Sequence, residues 1–519
     1  MKAWRCFAGL FSICIITFAL QGCGGGGGGE SVALPPPTIT DINGGITGSG
    51  TVGSLFIIDG NNFGNLSAPA AGFSVDFRDT TTNAVVASAP VNYAAGNWTN
   101  TIIKGTVPNA PGITAGTIYK VTVTTTSGTT SGVNFLVVAS VAFSPSTITW
   151  STAATLPVAK QGFPTIIAPV FRSFTSSTKP VFKSFTSATN YVYTLGGNTS
   201  TATAPDKSAN VASVFLNKMV NATGALADPS WTATTPLPDK RGFATGVLAN
   251  TFNSKATGYG TLYVLGGLDG TGNATSTVYV ASISSDGTLP ASGTGSWTTT
   301  TQLPQPLFAA AAVIFHNRLY VVGGNNSTGA PVANVYSAVI NSDGTLGSWQ
   351  TLADLPTPLA YHQMVTVGGF LYVLGGDNAA VDPITNVASL SEQDSIYFGQ
   401  INLLDGSLAT WTKNSSGMGK AREKFTAVAA GDAVVVTGGL YNGSPGSSES
   451  RYGTINTDGS LTPFAGATGT NTISTAGGYN PYNHSTAYFV DNSGNPHILI
   501  LGGADVATGL LHPEVWYQL

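Results

Sequence analysis

The 519 residues are too many for one hydrophobic core, and only 8% of them are charged, against roughly a quarter in ordinary soluble proteins. Twenty basic against 24 acidic residues leave a net charge of −4, with no basic stripe of the kind that nucleic acid binding requires. All three cysteines lie in the first 23 residues, so the rest of the chain can hold no disulfide, thiolate metal site, cysteine nucleophile or c-type haem attachment.

The first 36 residues read as an export leader and a tether. Lys2 and Arg5 precede an apolar run from Phe7 to Leu20, too short to span a membrane and followed by small residues. The ending Leu20-Gln21-Gly22-Cys23 resembles the lipobox of bacterial lipoproteins. That resemblance implies cleavage after residue 22, a lipid on Cys23 and, because Gly24 follows, sorting to the outer membrane. Gly24 to Gly29 form a flexible leash and Pro35-Pro36-Pro37 stiffens its end. The membrane is therefore one expected partner, through Cys23; whether the protein faces the periplasm or the cell surface stays open.

Residues 37–139 alternate apolar and polar side chains in short runs, among them SLFIIDG at 54–60, FSVDFRD at 73–79 and YKVTVTTT at 119–126. Turn clusters separate them at the spacing of a β-sandwich. PTITDINGG at 37–45, GNNFG at 60–64 and YKVTVTTTSGTTSGVNFLV at 119–137 resemble the IPT/TIG immunoglobulin-like family, which implies a spacer or presenting domain. Asp59 and Asp76 are weighed as Ca²⁺ ligands, but no cluster of oxygen ligands accompanies them.

From residue 140 onward one pattern repeats. An apolar strand halts on a glycine pair in VYTLGG (192–197), LYVLGG (262–267), LYVVGG (319–324), LYVLGG (371–376), VVVTGG (434–439) and ILILGG (498–503). A glycine pair suits a sharp turn beside a neighbouring backbone, and repeats of this length describe an array or propeller. Each unit adds a strand before the pair and two after it, the last opening on Trp (150, 231, 297, 349, 411) and closing on Leu-Pro (156–157, 237–238, 303–304, 355–356). Four strands make one propeller blade. Glycine pair, Tyr, Trp and Leu-Pro together resemble the kelch repeat. The fold class expected is all-β: an immunoglobulin-like β-sandwich plus a six-bladed kelch-type β-propeller over 140–519, closed by an N-terminal strand. Residues 148–157 carry Trp and Leu-Pro ahead of any glycine pair, so they are expected to pair with the C-terminal strand EVWYQL (514–519). Four Asp-Gly pairs (286–287, 343–344, 405–406, 458–459) read as two-residue hairpins with both central residues at positive φ; a repeated Ca²⁺ site is the sharper alternative. An 11-residue tandem copy, PVFRSFTSSTK (169–179) then PVFKSFTSATN (180–190), lengthens the first hairpin of the first blade.

The kelch resemblance implies basic residues shortly after Leu-Pro, at the mouth of the central channel. Carried over, these positions are Lys160, Arg241, Leu307, Leu359 or Tyr361, Arg422 and His484. Lys160, Arg241, Tyr361, His362, Arg422, Glu423, Tyr482 and His484 are therefore the candidate ligand-binding residues, with Asp377, Glu392 and Asp394 as acids that could join them. Six-bladed kelch proteins resembling sialic-acid mutarotase use channel-mouth Arg and Glu, and Arg422-Glu423 keeps those residue types. No G-x-S-x-G, H-E-x-x-H or phosphate loop occurs. The expectation is a non-catalytic, lipid-anchored envelope protein without cofactor or metal, binding a protein or glycan. The alternatives are a sugar-processing enzyme and a surface adhesin.

Overall fold

A computed structural model describes residues 35–42, 47–51, 55–91, 93, 97–114, 117–138, 150–170, 174–176, 179–181, 189–201, 206, 209–220, 225–249, 260–315, 317–341, 343–367, 369–379, 391–402, 405–430, 433–441, 449–456, 458–466, 480–490, 496–505, 508 and 510–518. The leader, the glycine leash and Cys23 lie outside them, as does most of the tandem copy. Of that copy, Phe174–Ser176 and Lys179–Val181 form a two-stranded hairpin between the first and second strands of the sheet that contains it.

Among the described residues, every regular element of length is a strand. In the N-terminal part, Thr38–Ile42, Leu55–Asn61 and Ile102–Thr106 form one sheet. A second sheet runs Thr47–Thr51, Val133–Val138, Thr117–Thr125, Ser74–Asp79 and Val85–Ser88, with Gly128–Thr129 beside Thr117–Thr125. Alternate residues of the two sheets meet in one core around Phe56, Phe77, Trp98, Val121 and Phe135. GNNFG turns its chain through left-handed Asn62 and Gly64, which drops Phe63 into that core beneath Trp98, whose indole N–H donates to the Phe63 carbonyl.

From residue 150 on, six four-stranded antiparallel sheets follow among the described residues. In chain order their innermost strands are Thr165–Val170, Thr245–Ala249, Ala311–Phe315, Gln363–Val367, Thr426–Ala430 and Ser485–Val490, and we number the sheets 1 to 6 accordingly. Each innermost strand lies beside that of the next sheet, and that of sheet 6 lies beside that of sheet 1. Sheet 6 takes its outermost strand from Trp150–Ala153, which pairs antiparallel with Val515–Gln518 in the register Ser151 to Tyr517.

The apolar runs before the glycine pairs are continuous because both faces of those strands are covered. In Thr261–Leu265, Leu262 and Val264 pack towards Tyr191 and Tyr193 of sheet 1, while Tyr263 and Leu265 pack towards Leu319 and Val321 of sheet 3. Each such side chain, fully removed from water, contributes roughly 1.5–3 kcal/mol.

The glycine pairs join one sheet to the next. The second glycine of each donates its N–H to a carbonyl of the following sheet: Gly197 to Arg241, Gly267 to Leu307, Gly324 to Leu359, Gly376 to Arg422, Gly439 to Pro481 and Gly503 to Lys160, all at 2.7–2.9 Å. At the first glycine a Cβ would stand 2.3–2.8 Å from that same carbonyl oxygen, and φ there is +54° to +69°. Any other residue would both clash and be strained.

The repeated tyrosine and Asp-Gly turn form a second fastening. Tyr193, Tyr263, Tyr320 and Tyr372 each donate a hydroxyl hydrogen bond to the carbonyl of the turn glycine in the next sheet, Gly287, Gly344, Gly406 and Gly459. In these turns the glycine has φ +71° to +86° and the aspartate is not left-handed, contrary to the two-residue hairpin expected. The aspartate instead accepts the backbone N–H of the residue two positions on, as Asp286 does from Thr288. Its carboxylate is thus occupied within the turn.

Candidate axial site

The six inner strands surround a cavity of about 210 Å³ on the ring axis. At one end, each sheet contributes one residue in the left-handed region: Gly162, Phe243, Ala309, Tyr361, Lys424 and Asn483, with φ between +49° and +56°. Each of these donates its N–H to the carbonyl of its predecessor at 2.7–3.1 Å, and Gly162 donates to Asn483. The result is a closed circle of six main-chain hydrogen bonds around the axis. The four non-glycine side chains of any size, Phe243, Tyr361, Lys424 and Asn483, are buried at that end of the cavity. Phe243 meets Tyr361 edge to face at 6.2 Å between centroids, and the Lys424 ammonium lies 4.9 Å over the Tyr361 ring.

Of the carried-over basic residues, Lys160, Arg241 and Arg422 do not line this cavity. Lys160 is fully buried, and its amine donates to Thr194 Oγ1 and to the carbonyl of Gly196, the first glycine of its own sheet's pair. Burial brings it down to about 7. Arg422 is also buried and donates to the equivalent carbonyl of Gly438. Arg241 instead folds over Tyr279, bonding its hydroxyl and the Asp239 carboxylate. Lys160 and Arg422 thus brace the glycine-pair turns of their own sheets. Their main-chain carbonyls accept from the preceding sheet's pair. In sheet 6 that position is Pro481, not His484, because the Leu-Pro landmark is missing there and the chain offers no fixed offset to count from.

Of the remaining candidates, Tyr361, His362 and His484 line the cavity, whereas Tyr482 packs with Leu440 and Ala504 away from it. His362 and His484 occupy equivalent positions, each ring filling the space beside the first glycine of the preceding sheet's pair, Gly323 and Gly438. Burial lowers them to about 4 and about 3, so both are neutral imidazoles near pH 7. His484 shares a hydrogen bond with Thr426, while the His362 ring lies against the Val322 and Leu359 backbone without a well-formed one.

Arg422 and Glu423 part company. Arg422 faces Glu449 and Arg451, whereas Glu423 turns inward and pairs with Lys424 at 3.1 Å, both side chains being at most 1% exposed. Glu423 also meets Asp377 of sheet 4, and burial together with that neighbour raises it to about 7 despite the opposing pull of Lys424. Asp377 accepts from Ser391 and from the Ala379 N–H through Oδ1. Its Oδ2 and Glu423 Oε2 have no donor among the described residues, and a proton held on Glu423 lets the two carboxyls lie together. Glu392, buried and raised by its burial, stands near Asp377 and Lys424, while Asp394 is exposed and apart. Lys424, Phe243 and Asn483 join the site without any residue-type signal of their own. A signal existed: the left-handed residue falls five positions after the proline of Leu-Pro in the four sheets that have one.

In the N-terminal part, Asp76 is bonded by Ser74, Ser88 and Arg78. Asp59 stands opposite Asp41 across two strands, and burial with that like charge raises it to about 8. No group of three or more His, Cys, Asp or Glu placed to hold a metal ion occurs among the described residues.

No family model matches the chain. Kelch-like protein 34 of Homo sapiens is 34% identical over 96 residues, covering 18% of this chain and 14% of that protein. Beta-scruin of Limulus polyphemus is 30% identical over 149 residues, 27% of this chain and 15% of that protein. The chain thus matches only about a seventh of the length of these curated relatives. Among solved structures, "Structure of YjhT" aligns with a TM-score of 0.44 and 14% identity, covering 70% of this chain and 95% of that one. The likeness to kelch relatives and the four-stranded sheets together support a kelch-type β-propeller.

Proposed function

We propose that this protein is a non-catalytic binding or scaffold component of a bacterial cell envelope. In this reading a six-bladed propeller, closed by its N-terminal strand and carried on an IPT/TIG-like immunoglobulin sandwich, is held to the outer membrane by a lipid on Cys23. The loops after the glycine pairs and after Leu-Pro form one face and receive a protein partner there. The observation that carries the reading is the closed end of the axial cavity. On that face the charged groups at the axis, Glu423 and Lys424, are buried against one another, and aromatic side chains fill the remaining space. Recognition is left to the exposed loops, held by a rigid ring. The kelch-type repeats support a protein as partner.

The sugar-processing alternative has one specific observation in its favour, a buried Glu423 carboxyl raised to about 7 by its burial beside Lys424 and Asp377. It requires that carboxyl to become accessible to a sugar. An acidic glycan incubated with the protein and returned chemically unchanged contradicts it.

Photo-crosslinking in intact cells tests the binding reading. A photoreactive residue at Thr271 or Thr328, both exposed on loops after glycine pairs, is expected to trap one discrete protein. One at Ser285, exposed at the opposite end beside an Asp-Gly turn, is expected to trap none. Equal capture from both ends, or from neither, contradicts the proposal. Replacing Cys23 with Ser is expected to release the protein from the membrane fraction.

A further inference from the structure

The three-stranded sheet of the N-terminal part is covered on more than its core side. Its inner face gives Ile42, Phe56, Ile58 and Ile103 to the core described above. Successive residues of a strand point to opposite faces, so Ile57, Asp59, Ile102 and Lys104 point the other way. Ile57 and Ile102 are nevertheless only 2% and 6% exposed. Asp41, Asp59 and Ile102 form one row across the three strands of this outer face. Asp41 is the register partner of Asp59, and Asp59 that of Ile102.

That row meets the propeller. Asp41, Asp59 and Ile102 form one wall of a cavity of about 280 Å³, and the facing wall includes Asn317 and Arg318 of sheet 3 and Ile401, Asn402 and Asp405 of sheet 4. Residues Pro36–Leu519 form one compact unit. The propeller wall is made of turns at one end of the ring. Asn317 precedes the strand Arg318–Val322, which runs away from it to the pair Gly323-Gly324, and Asp405-Gly406 is the turn that Tyr320 fastens. This end is therefore the one opposite the glycine pairs. Arg318 crosses over Gly406 to reach Gln350, so the turn it covers has no room for a larger residue. On the other wall, burial and the neighbouring Asp41 make Asp59 keep its proton, which suits an acid on a covered face.

We propose that the outer face of the three-stranded sheet seats the N-terminal part on the Asp-Gly-turn end of the propeller, over sheets 3 and 4, and that the two move as one body. The end that bears the glycine-pair loops then faces away from the N-terminal part and stays open. A protein partner, in the binding reading on which this last step rests, approaches from the side opposite the N-terminal part.

Spin-label distances in the full chain test the docking. With Cys6, Cys14 and Cys23 replaced by Ser, labels are attached at V85C in the N-terminal part and T299C in sheet 2, both exposed positions. One narrow distance between them is expected. Ile102→Glu adds a carboxyl to the row that holds Asp41 and Asp59, and Asn402→Glu adds one to the wall facing it. Each is expected to broaden the distance several-fold, because like charges now oppose the contact and parts joined only by a linker move independently. Ile102 is not a member of the N-terminal core and Asn402 lies in the propeller, so both variants leave that core intact. A broad distance in the chain with neither Glu, or one that stays narrow in both variants, overturns the proposal. The measurement needs no partner, so its failure and that of the photo-crosslinking are separate results.

Discussion

Replacing Glu423 with Gln isolates one buried proton. The glutamic acid moves from its ordinary 4.5 to about 7 in the folded chain, chiefly because burial disfavours the carboxylate. The folded state therefore holds a proton that the unfolded chain has released between those two values. Stability falls as pH rises through that window, and the loss is complete above about 7. Two and a half pH units at 1.36 kcal/mol each give about 3 kcal/mol as the largest effect. Glutamine keeps the shape and stays neutral, and Lys424 keeps Asp377 and Glu392 nearby. Urea unfolding of both proteins from pH 4 to pH 8 measures the difference directly. The variant is expected to match wild type near pH 4 and exceed it by up to about 3 kcal/mol at pH 8. Two parallel profiles would refute the buried, proton-holding Glu423.

Other perturbations probe other links. Lys160, brought down to about 7 by burial, makes the folded state release a proton that the unfolded chain keeps, so stability rises from about pH 7 towards 10; Lys160→Met is expected to abolish that rise in a denaturant series. Gly323→Ala places a Cβ 2.4 Å from the Leu359 carbonyl at φ +57°. It should lower stability by several kcal/mol, whereas Gly293→Ala, at φ +78° with open space around it, should cost only about 1 kcal/mol in the same thermal melt. Tyr263→Phe removes one buried hydroxyl and leaves the Gly344 carbonyl unmet, and a loss of about 1–2 kcal/mol is expected in urea.

The architecture was legible because its demands are local and steric. A glycine pair is required wherever one sheet's turn meets the next sheet's carbonyl, so all six pairs stand in the sequence. A strand covered on both faces must be apolar throughout, which LYVLGG shows at a glance. Residues 148–157 could be matched to the C-terminal strand because their Trp and Leu-Pro had no glycine pair before them. The site was much less legible. Whether a basic side chain after Leu-Pro faces the axis or folds back on its own glycine turn depends on which way one Cβ points, and nothing in the sequence of Lys160 or Arg422 records that. The left-handed circle is hard to see in the sequence for a related reason. Five of its six members are Phe, Ala, Tyr, Lys and Asn, held there by hydrogen bonds to neighbours far away in sequence and not by their own preference. An Asp-Gly pair signals a turn without saying which residue bears the positive φ, and here it is the glycine alone.

A designed disulfide between Ser151 and Tyr517 tests the closed ring most directly. These two residues are cross-strand partners, and the chain carries no cysteine after residue 23 to interfere. With Cys6, Cys14 and Cys23 replaced by Ser, S151C/Y517C is expected to oxidise within one chain under native conditions, and its thermal midpoint should rise above that of the reduced form. A double variant that stays reduced until it is denatured, or that links only between chains, would contradict a ring closed by its N-terminal strand.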